Sequence, residues 1–209
     1  MTEGSYENIL FYERGPIKTL YLGIDPTRWK GGEVIHYPVI RCKRIGESIC
    51  PPGATHLLFT SRTAIQLWND FSDKKIVAIG EATAALIRSR GIAPLVAPSA
   101  TQEGVIALLQ TLDLSKAHIV WPRSVLSREA LILYMEAQSI RYTALNLYET
   151  VLQQPYPPPP LDLFDEIVFT SPSTVDGFLA IYGKLPPDKI LTAIGPITQR
   201  CIQNCSVKI

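Results

Sequence analysis

The sequence contains an internal repeat, and this repeat restricts the possible folds more than any other feature of the chain. Residues 56–61 and 166–171 each read as a short apolar strand that ends in Phe-Thr-Ser. Each copy continues with an amphipathic stretch at helical spacing and then with a second strand that ends in Ala-Ile-Gly. A threonine follows each of these glycines after two residues, at Thr83 and Thr198. Both copies therefore have the order strand, helix, strand, helix.

This order predicts parallel β-sheets, because a helix that connects consecutive strands keeps them parallel and covers the faces of the sheet. A third unit lies between the two copies, with a strand at 118–121, a helix at 127–138 and a strand at 142–147. We therefore predict an α/β protein with two parallel-sheet α/β domains joined by a two-stranded linker. The expected boundaries are a discontinuous outer domain at 1–37 plus 152–209, an inner domain at 42–146, and inter-domain linkers at 38–41 and 147–151.

Composition excludes several classes of protein. The 209 residues include 20 basic and 19 acidic side chains, and a formal net charge of +1 does not favour nucleic-acid binding through bulk electrostatics. No apolar run approaches the roughly 18–20 residues of a membrane span, so no membrane partner is expected. Residues 1–15 lack the basic and then apolar layout of a secretory signal, and we expect a cytoplasmic protein that is a monomer.

Cysteine usage indicates neither a disulfide framework nor a clear metal site. Four cysteines are too few to form a disulfide framework that stabilises a chain of this length. Cys201 and Cys205 are spaced to share a helix face, which leaves a metal pair conceivable. Without a nearby His or a second Cys pair, two buried thiols are the better interpretation, and we predict no metal.

Hydroxyl side chains occur where strands are predicted to meet helices. Loops at the carboxyl ends of parallel strands form ligand sites, and the helix N-termini that follow them favour anions. The residues at these junctions are Thr60, Ser61, Thr170, Ser171 and Ser173, with Thr83 and Thr198 just after the Gly80 and Gly195 turns. Facing a single cleft, they would suit a ligand with many carboxylates. The alternative, that they only cap helices at about 1 kcal/mol each, stays open at this point.

Other kinds of chemistry have weaker support. A Gly-x-Gly-x-x-Gly fingerprint and a Gly-Lys-Ser/Thr phosphate loop are both missing from the sequence, so nucleotide cofactors are not expected. His36, His56 and His118 lie in or beside predicted strands, as packed or edge residues do. Arg123 follows a strand and either reaches an anionic ligand or is solvated. Tyr148, at the second crossing between domains, is either a proton donor that stays neutral at pH 7 or a tyrosine packed across the linker.

Five short motifs follow one another along the chain. They are Phe-Thr-Ser-Arg at 59–62, Ala-Ile-Gly-Glu-Ala-Thr at 78–83, Leu-Tyr-Glu-Thr at 147–150, Phe-Thr-Ser-Pro-Ser at 169–173 and Ala-Ile-Gly-Pro-Ile-Thr at 193–198. In this order, the chain resembles the uroporphyrinogen-III synthase family over about residues 35–205. The resemblance implies a lyase of haem biosynthesis with a flexible cleft and no cofactor. Its substrate would be the octacarboxylate hydroxymethylbilane, cyclised to uroporphyrinogen III with loss of water, a spiro intermediate and inversion of ring D.

The resemblance also implies roles for particular residues. Tyr148 matches the family tyrosine that assists departure of the substrate hydroxyl. The positions that match the lining of the family's cleft are Thr60, Ser61, Thr83, Thr170, Ser171, Ser173 and Thr198. Arg62 and Arg123 are basic side chains that we expect to meet substrate carboxylates.

The outer domain departs from the family pattern. Only residues 25–33 separate the first two predicted strands, which is too few for the crossover helix that family members have there. Asp25-Pro26 replaces an Arg-Pro pair, and the sequence stops at Ile209 where the family continues with a strand and a helix. We therefore expect the outer domain to be shortened, above all in its N-terminal part. Two alternatives to the synthase stay open: a catalytically idle anion-binding module on the same scaffold, and an unrelated doubly wound binding domain.

Overall fold

The computed structural model describes residues 16–27 and 29–206. Its strands are β1 (Lys18–Tyr21), β2 (Glu33–His36), β3 (Ile40–Arg44), β4 (His56–Phe59), β5 (Lys75–Ala78), β6 (Leu95–Val96), β7 (His118–Ser124), β8 (Arg141–Leu152), β9 (Glu166–Phe169) and β10 (Ile190–Ala193). Its helices are α1 (Arg62–Leu67), α2 (Glu81–Arg88), α3 (Gln102–Leu109), α4 (Ala130–Ala137), α5 (Pro172–Tyr182) and α6 (Pro196–Ser206), with a 3₁₀ turn at Leu161–Leu163. The predicted α/β class is confirmed.

The chain divides into two compact units, which we name the outer and the inner unit. The outer unit comprises Met1–Arg41 and Leu152–Ile209, and the inner unit comprises Cys42–Val151. Both predicted linkers overlap with strands, because β3 begins at Ile40 and β8 continues as one strand to Leu152.

The inner unit is built on a sheet with the strand order β3-β8-β7-β4-β5-β6, in which the pairings from β8 to β6 are parallel. Successive side chains of a strand point to opposite faces. Leu57 and Phe59 of β4 therefore pack in the core with α1 and α2, and Leu58 packs in the core with α3 and α4. All three side chains are fully buried, which is typical of a parallel sheet covered on both faces.

The outer unit has a parallel sheet with the order β10-β9-β1-β2. Helices α5 and α6 contact each other, and Leu20, Phe169 and Phe178 share one core with them. The connection from β1 to β2 contains no helix in its described residues, 22–27 and 29–32, although the two strands pair in parallel. None of the helices in the described ranges, 16–27 and 29–206, is long and apolar enough to span a bilayer.

The short connection after β1 approaches the site loop that follows β9. A Cβ atom on Gly23 would lie 2.4 Å from Cγ2 of Thr170, so only a glycine leaves room for this threonine. The carbonyl of Gly23 also hydrogen-bonds to Nε2 of His36 at 2.8 Å, and the hydroxyl of Tyr21 donates to the carbonyl of Asp25 at 2.9 Å. These contacts fix the start of the connection beside Thr170.

Candidate functional site

The predicted site residues of the inner unit lie at the carboxyl ends of its strands. Thr60 and Ser61 directly follow β4, and Thr83 lies in the first turn of α2, after β5. Because β4 and β5 are paired in parallel, their two loops leave the sheet side by side. Tyr148 lies on β8, where it pairs with the last residue of β7. The candidate site therefore lies where β4, β5 and β7 have their carboxyl ends, and Tyr148 reaches this level from within the longer β8.

Tyr148 and Ser61 are in direct contact although they are far apart in the sequence. The phenol of Tyr148 donates a hydrogen bond to Oγ of Ser61 at 2.9 Å. Ser61 is also the N-cap of α1, where its Oγ accepts from the backbone N–H of Ala64 at 3.0 Å. The Tyr148 side chain is only 7% exposed, and burial raises the pKa of its phenol, so the group is a neutral hydrogen-bond donor at pH 7.

Thr60 is held by a tryptophan of the core. Trp121 is fully buried on β7, and its Nε1–H donates to Oγ1 of Thr60 at 3.0 Å. Thr83 is 4% exposed, and its backbone N–H donates to the carbonyl of Gly80 at 3.0 Å. Gly80 is the N-cap of α2 and gives this helix no side-chain cap. The first turn of α2 therefore lacks the side-chain oxygen that closes α1.

The two predicted arginines differ in their surroundings. Arg62 is the first residue of α1 and is half-buried. Arg123 is 5% exposed, and its guanidinium lies 4.6 Å from the ring centre of Trp121. It donates to Oε1 of Glu129 at 2.8 Å and to the carbonyl of Ser127. These contacts brace the loop between β7 and α4, and a contact of Arg123 with substrate stays a prediction.

The outer unit has a second set of hydroxyl residues at the carboxyl ends of β9 and β10. Thr170 and Ser171 precede α5, Ser173 is its second residue, and Thr198 lies in the first turn of α6. Thr174 organises the first loop, since its Oγ1 accepts from the backbone N–H groups of Thr170 and Ser171 at 3.1 and 3.2 Å. Both units therefore present hydroxyls at the corresponding ends of their parallel strands.

The turn before α6 is open. A Cβ atom on Gly195 would have no neighbour within 4 Å, whereas one on Gly80 would lie 2.8 Å from Cβ of Ala100. Ile194 and Ile197 on either side of the turn are 55% and 64% exposed. The repeat therefore predicts the position of this turn but not the difference in packing between its two copies.

Two histidines lie at the opposite end of the inner sheet, at the first residues of β4 and β7. His56 is 6% exposed and hydrogen-bonds through Nδ1 to Oγ1 of Thr55 at 2.7 Å. His118 is 4% exposed and hydrogen-bonds through Nε2 to Oγ1 of Thr143 at 2.7 Å. Burial lowers the pKa of both imidazoles. Both side chains are packed in the protein. Each lies at the amino end of its strand, whereas the loops of the candidate site follow the carboxyl ends.

We expect the free energy of unfolding to fall as the pH drops through about 6.5, the ordinary pKa of histidine. The unfolded chain then binds protons that the folded chain resists, because burial and the nearby Lys75 and Arg141 disfavour the charged forms of His56 and His118. The loss should end below the lowered pKa values of the folded state. Urea denaturation between about pH 8 and pH 5 measures it. A double variant, His56→Gln with His118→Gln, should have a flatter pH dependence, and an unchanged slope would contradict the assignment.

Two residues beside the candidate site carry no signal in the sequence pattern. Thr63 and Cys42 lie beside Tyr148, with Oγ1 of Thr63 3.8 Å from Sγ of Cys42. Thr63 occupies the first turn of α1, where its spacing is that of an ordinary helix residue. In residues 16–27 and 29–206, no group of three His, Cys, Asp or Glu side chains is placed to bind a metal ion.

Comparisons with known proteins identify a family and a shared fold. The family model described as "Uroporphyrinogen-III synthase HemD" matches residues 26–209. The solved structure of uroporphyrinogen-III synthetase from Helicobacter pylori is similar with a TM-score of 0.65 at 16% identity, over 91% of this chain and 90% of that one. A mutant uroporphyrinogen III synthase from Thermus thermophilus is similar with a TM-score of 0.54 at 15% identity, over 92% and 90%. The curated proteins contain no match.

Proposed function

Since the chain belongs to the uroporphyrinogen-III synthase family, whose members are lyases of tetrapyrrole biosynthesis, we propose that it cyclises hydroxymethylbilane to uroporphyrinogen III with inversion of ring D. The observation that supports this proposal is the buried hydrogen bond between Tyr148 and Ser61, at the end of the inner sheet where β4 and β7 have their carboxyl ends. It places a neutral proton donor beside the loops that match the family's motifs. We expect the enzyme to be cytoplasmic and monomeric, and to use no cofactor.

The first chemical step is departure of the substrate hydroxyl as water. The electrons of the neighbouring pyrrole expel the hydroxyl and leave a cation-like azafulvene, and a proton donor at the leaving oxygen lowers the barrier. Tyr148 suits this task because its raised pKa keeps the phenol protonated at neutral pH. The cation is then attacked at the substituted carbon of the last ring, which gives the spiro intermediate, and this fragments and recloses with the ring inverted.

The protein must also hold the bilane substrate in one conformation. The bilane cyclises unaided to the uninverted isomer, so the enzyme must make the disfavoured attack the nearest one. Backbone N–H groups and hydroxyls suit this task, because they bind the carboxylates of a flexible substrate without reacting with it. We assign binding to the hydroxyl residues of both units and to the first turns of α2, α5 and α6. They are Thr60, Ser61, Thr83, Thr170, Ser171, Ser173 and Thr198.

Recognition by oriented donors agrees with the charge of the chain. A formal net charge of +1 provides no strong long-range field for a substrate with eight carboxylates. Specificity then depends on the positions of the hydrogen-bond donors. Arg62, the first residue of α1, adds a half-buried cation to the loop after β4. No observation favours the alternative of an idle anion-binding module.

Product analysis tests the proposal. The protein is incubated with freshly generated hydroxymethylbilane, and the macrocycle isomers are separated by chromatography. We expect the inverted isomer to dominate, compared with the uninverted isomer in a protein-free control. An isomer mixture identical to that control would refute the synthase assignment and leave the idle binding module as the alternative.

A further inference from the structure

We propose that Ser61 supplies the proton that meets the leaving oxygen of the substrate, and that Tyr148 acts through Ser61. The proposal rests on the proposed function, since it concerns the same loss of water. Ser61 is then the catalytic residue that contacts the substrate. Tyr148 is a positioning residue that acts on Ser61 through their hydrogen bond.

The hydrogen bonds of Ser61 leave its hydroxyl able to act only as a donor. A serine hydroxyl has two acceptor lone pairs and one donor proton. Oγ of Ser61 accepts from the phenol of Tyr148 at 2.9 Å and from the backbone N–H of Ala64 at 3.0 Å. Because both acceptor positions are occupied, the Ser61 hydroxyl can form a further hydrogen bond only as a donor. Ser61 is therefore set up to donate to a ligand and not to accept from one.

Tyr148 is more deeply buried than Ser61. The single proton of the Tyr148 phenol is directed at Ser61, and the side chain is 7% exposed in a core that contains Phe59, Val120 and Leu147. To donate to the substrate itself, the phenol would have to break this bond and leave its packing. Ser61 is half-buried and lies in the loop after β4, so it is the more exposed of the two residues.

Ser61, Tyr148 and Thr63 interact through their hydroxyls as a chain. Hydrogen bonds in a chain strengthen one another in a site of low dielectric constant. Burial raises the pKa of Tyr148, and hydrogen bonding with Ser61 and Thr63 opposes that rise. Thr63 itself lies 3.8 Å from Sγ of Cys42. The phenol therefore polarises Ser61 and is in turn supported by Thr63.

The protons balance over the reaction. As the carbon–oxygen bond of the substrate breaks, Ser61 gives its proton to the departing oxygen and takes the proton of Tyr148. Water leaves, the bilane becomes the azafulvene cation, and Tyr148 is left as a phenolate. The pyrrole carbon at which the ring finally closes releases a proton, and this proton returns to the phenolate. A raised pKa makes the phenolate a strong base, which favours that return.

A double-mutant cycle tests the order of the two residues. We expect Ser61→Ala to lower kcat by about 100-fold, at the low end of a general-acid contribution. Tyr148→Phe removes the phenol that replaces the proton given up by Ser61, and it should lower kcat by up to about 100-fold, no more than Ser61→Ala does. The double variant should be no slower than Ser61→Ala alone. Ser61→Thr retains a hydroxyl and should restore most of the loss in kcat.

Controls separate this role from the helix cap. Thr101 caps α3 in the same way, since its Oγ1 accepts from the N–H of Gly104 at 3.0 Å, and Thr101→Ala should leave kcat unchanged. If Ser61→Ala does not fold, Ser61→Gly replaces it, because glycine is tolerated at an N-cap. A larger loss for Tyr148→Phe than for the Ser61 variant, or losses that multiply in the double variant, would overturn the proposal while leaving the synthase assignment intact. A wild-type protein that forms only the uninverted isomer would overturn both.

Discussion

Replacing Trp121 with alanine is expected to lower the free energy of unfolding by about 3–5 kcal/mol, the usual cost of removing a fully buried aromatic side chain. The indole is fully buried among Leu58, Leu131 and Met135, where the sheet of the inner unit meets α3 and α4. Its removal leaves a cavity between these layers and also removes the donor to Oγ1 of Thr60. Urea denaturation followed by circular dichroism measures the change.

Trp121→Phe is the matched control for this prediction. It keeps most of the buried ring and deletes the Nε1–H, so the expected cost is about 1–2 kcal/mol, that of an unmade hydrogen bond and a small void. A loss below about 1 kcal/mol in Trp121→Ala would contradict the packing of the inner core described above.

Replacing Arg123 with methionine is expected to lower the free energy of unfolding by about 2–3 kcal/mol, because hydrogen bonds of a buried charged group are lost. Methionine retains an apolar stem over Trp121 but cannot donate to Glu129 or to the carbonyl of Ser127. The loop between β7 and α4 should loosen. Thermal and urea unfolding of the variant measure the loss.

The same variant separates the two roles considered for Arg123. A guanidinium that mainly braces its loop affects stability, whereas one that binds a substrate carboxylate affects KM. Arg128→Met is the control, since Arg128 forms an exposed ion pair with Glu103 of α3 and its replacement should change stability little. An Arg123→Met protein with unchanged stability and a raised KM would contradict the bracing role and support the substrate contact.

Sequence patterns were sufficient for the repeated order of strand, helix, strand and helix and for parallel sheets, but they did not identify β3, β6 or α3. Continuous apolar strands such as Leu57 to Phe59, followed by helical periodicity, have few alternatives once they occur twice. Strand ends were less predictable. A strand expected at 118–121 continues to Ser124, and one expected at 142–147 extends from Arg141 to Leu152, because pairing between β7 and β8 stabilises residues that alone resemble a loop.

The longer β7 explains why the interpretation of Arg123 was incomplete. Placed just after a strand, the residue was expected in a loop that faces ligand or solvent, but it lies within the strand and is buried against Trp121. The contact between Tyr148 and Ser61 was also beyond sequence patterns. It joins residues on β8 and after β4, and β7 lies between these strands in the sheet. Only the strand order brings the two hydroxyls together.

The isomer composition of the product, measured as protein concentration increases at a fixed amount of hydroxymethylbilane, tests the proposed function most directly. We expect the share of uroporphyrinogen III to rise with protein concentration until the uninverted isomer is a trace, and to be abolished by heat-denaturing the protein first. A composition that stays equal to the protein-free reaction at every concentration would contradict the conclusion that this chain directs the ring closure.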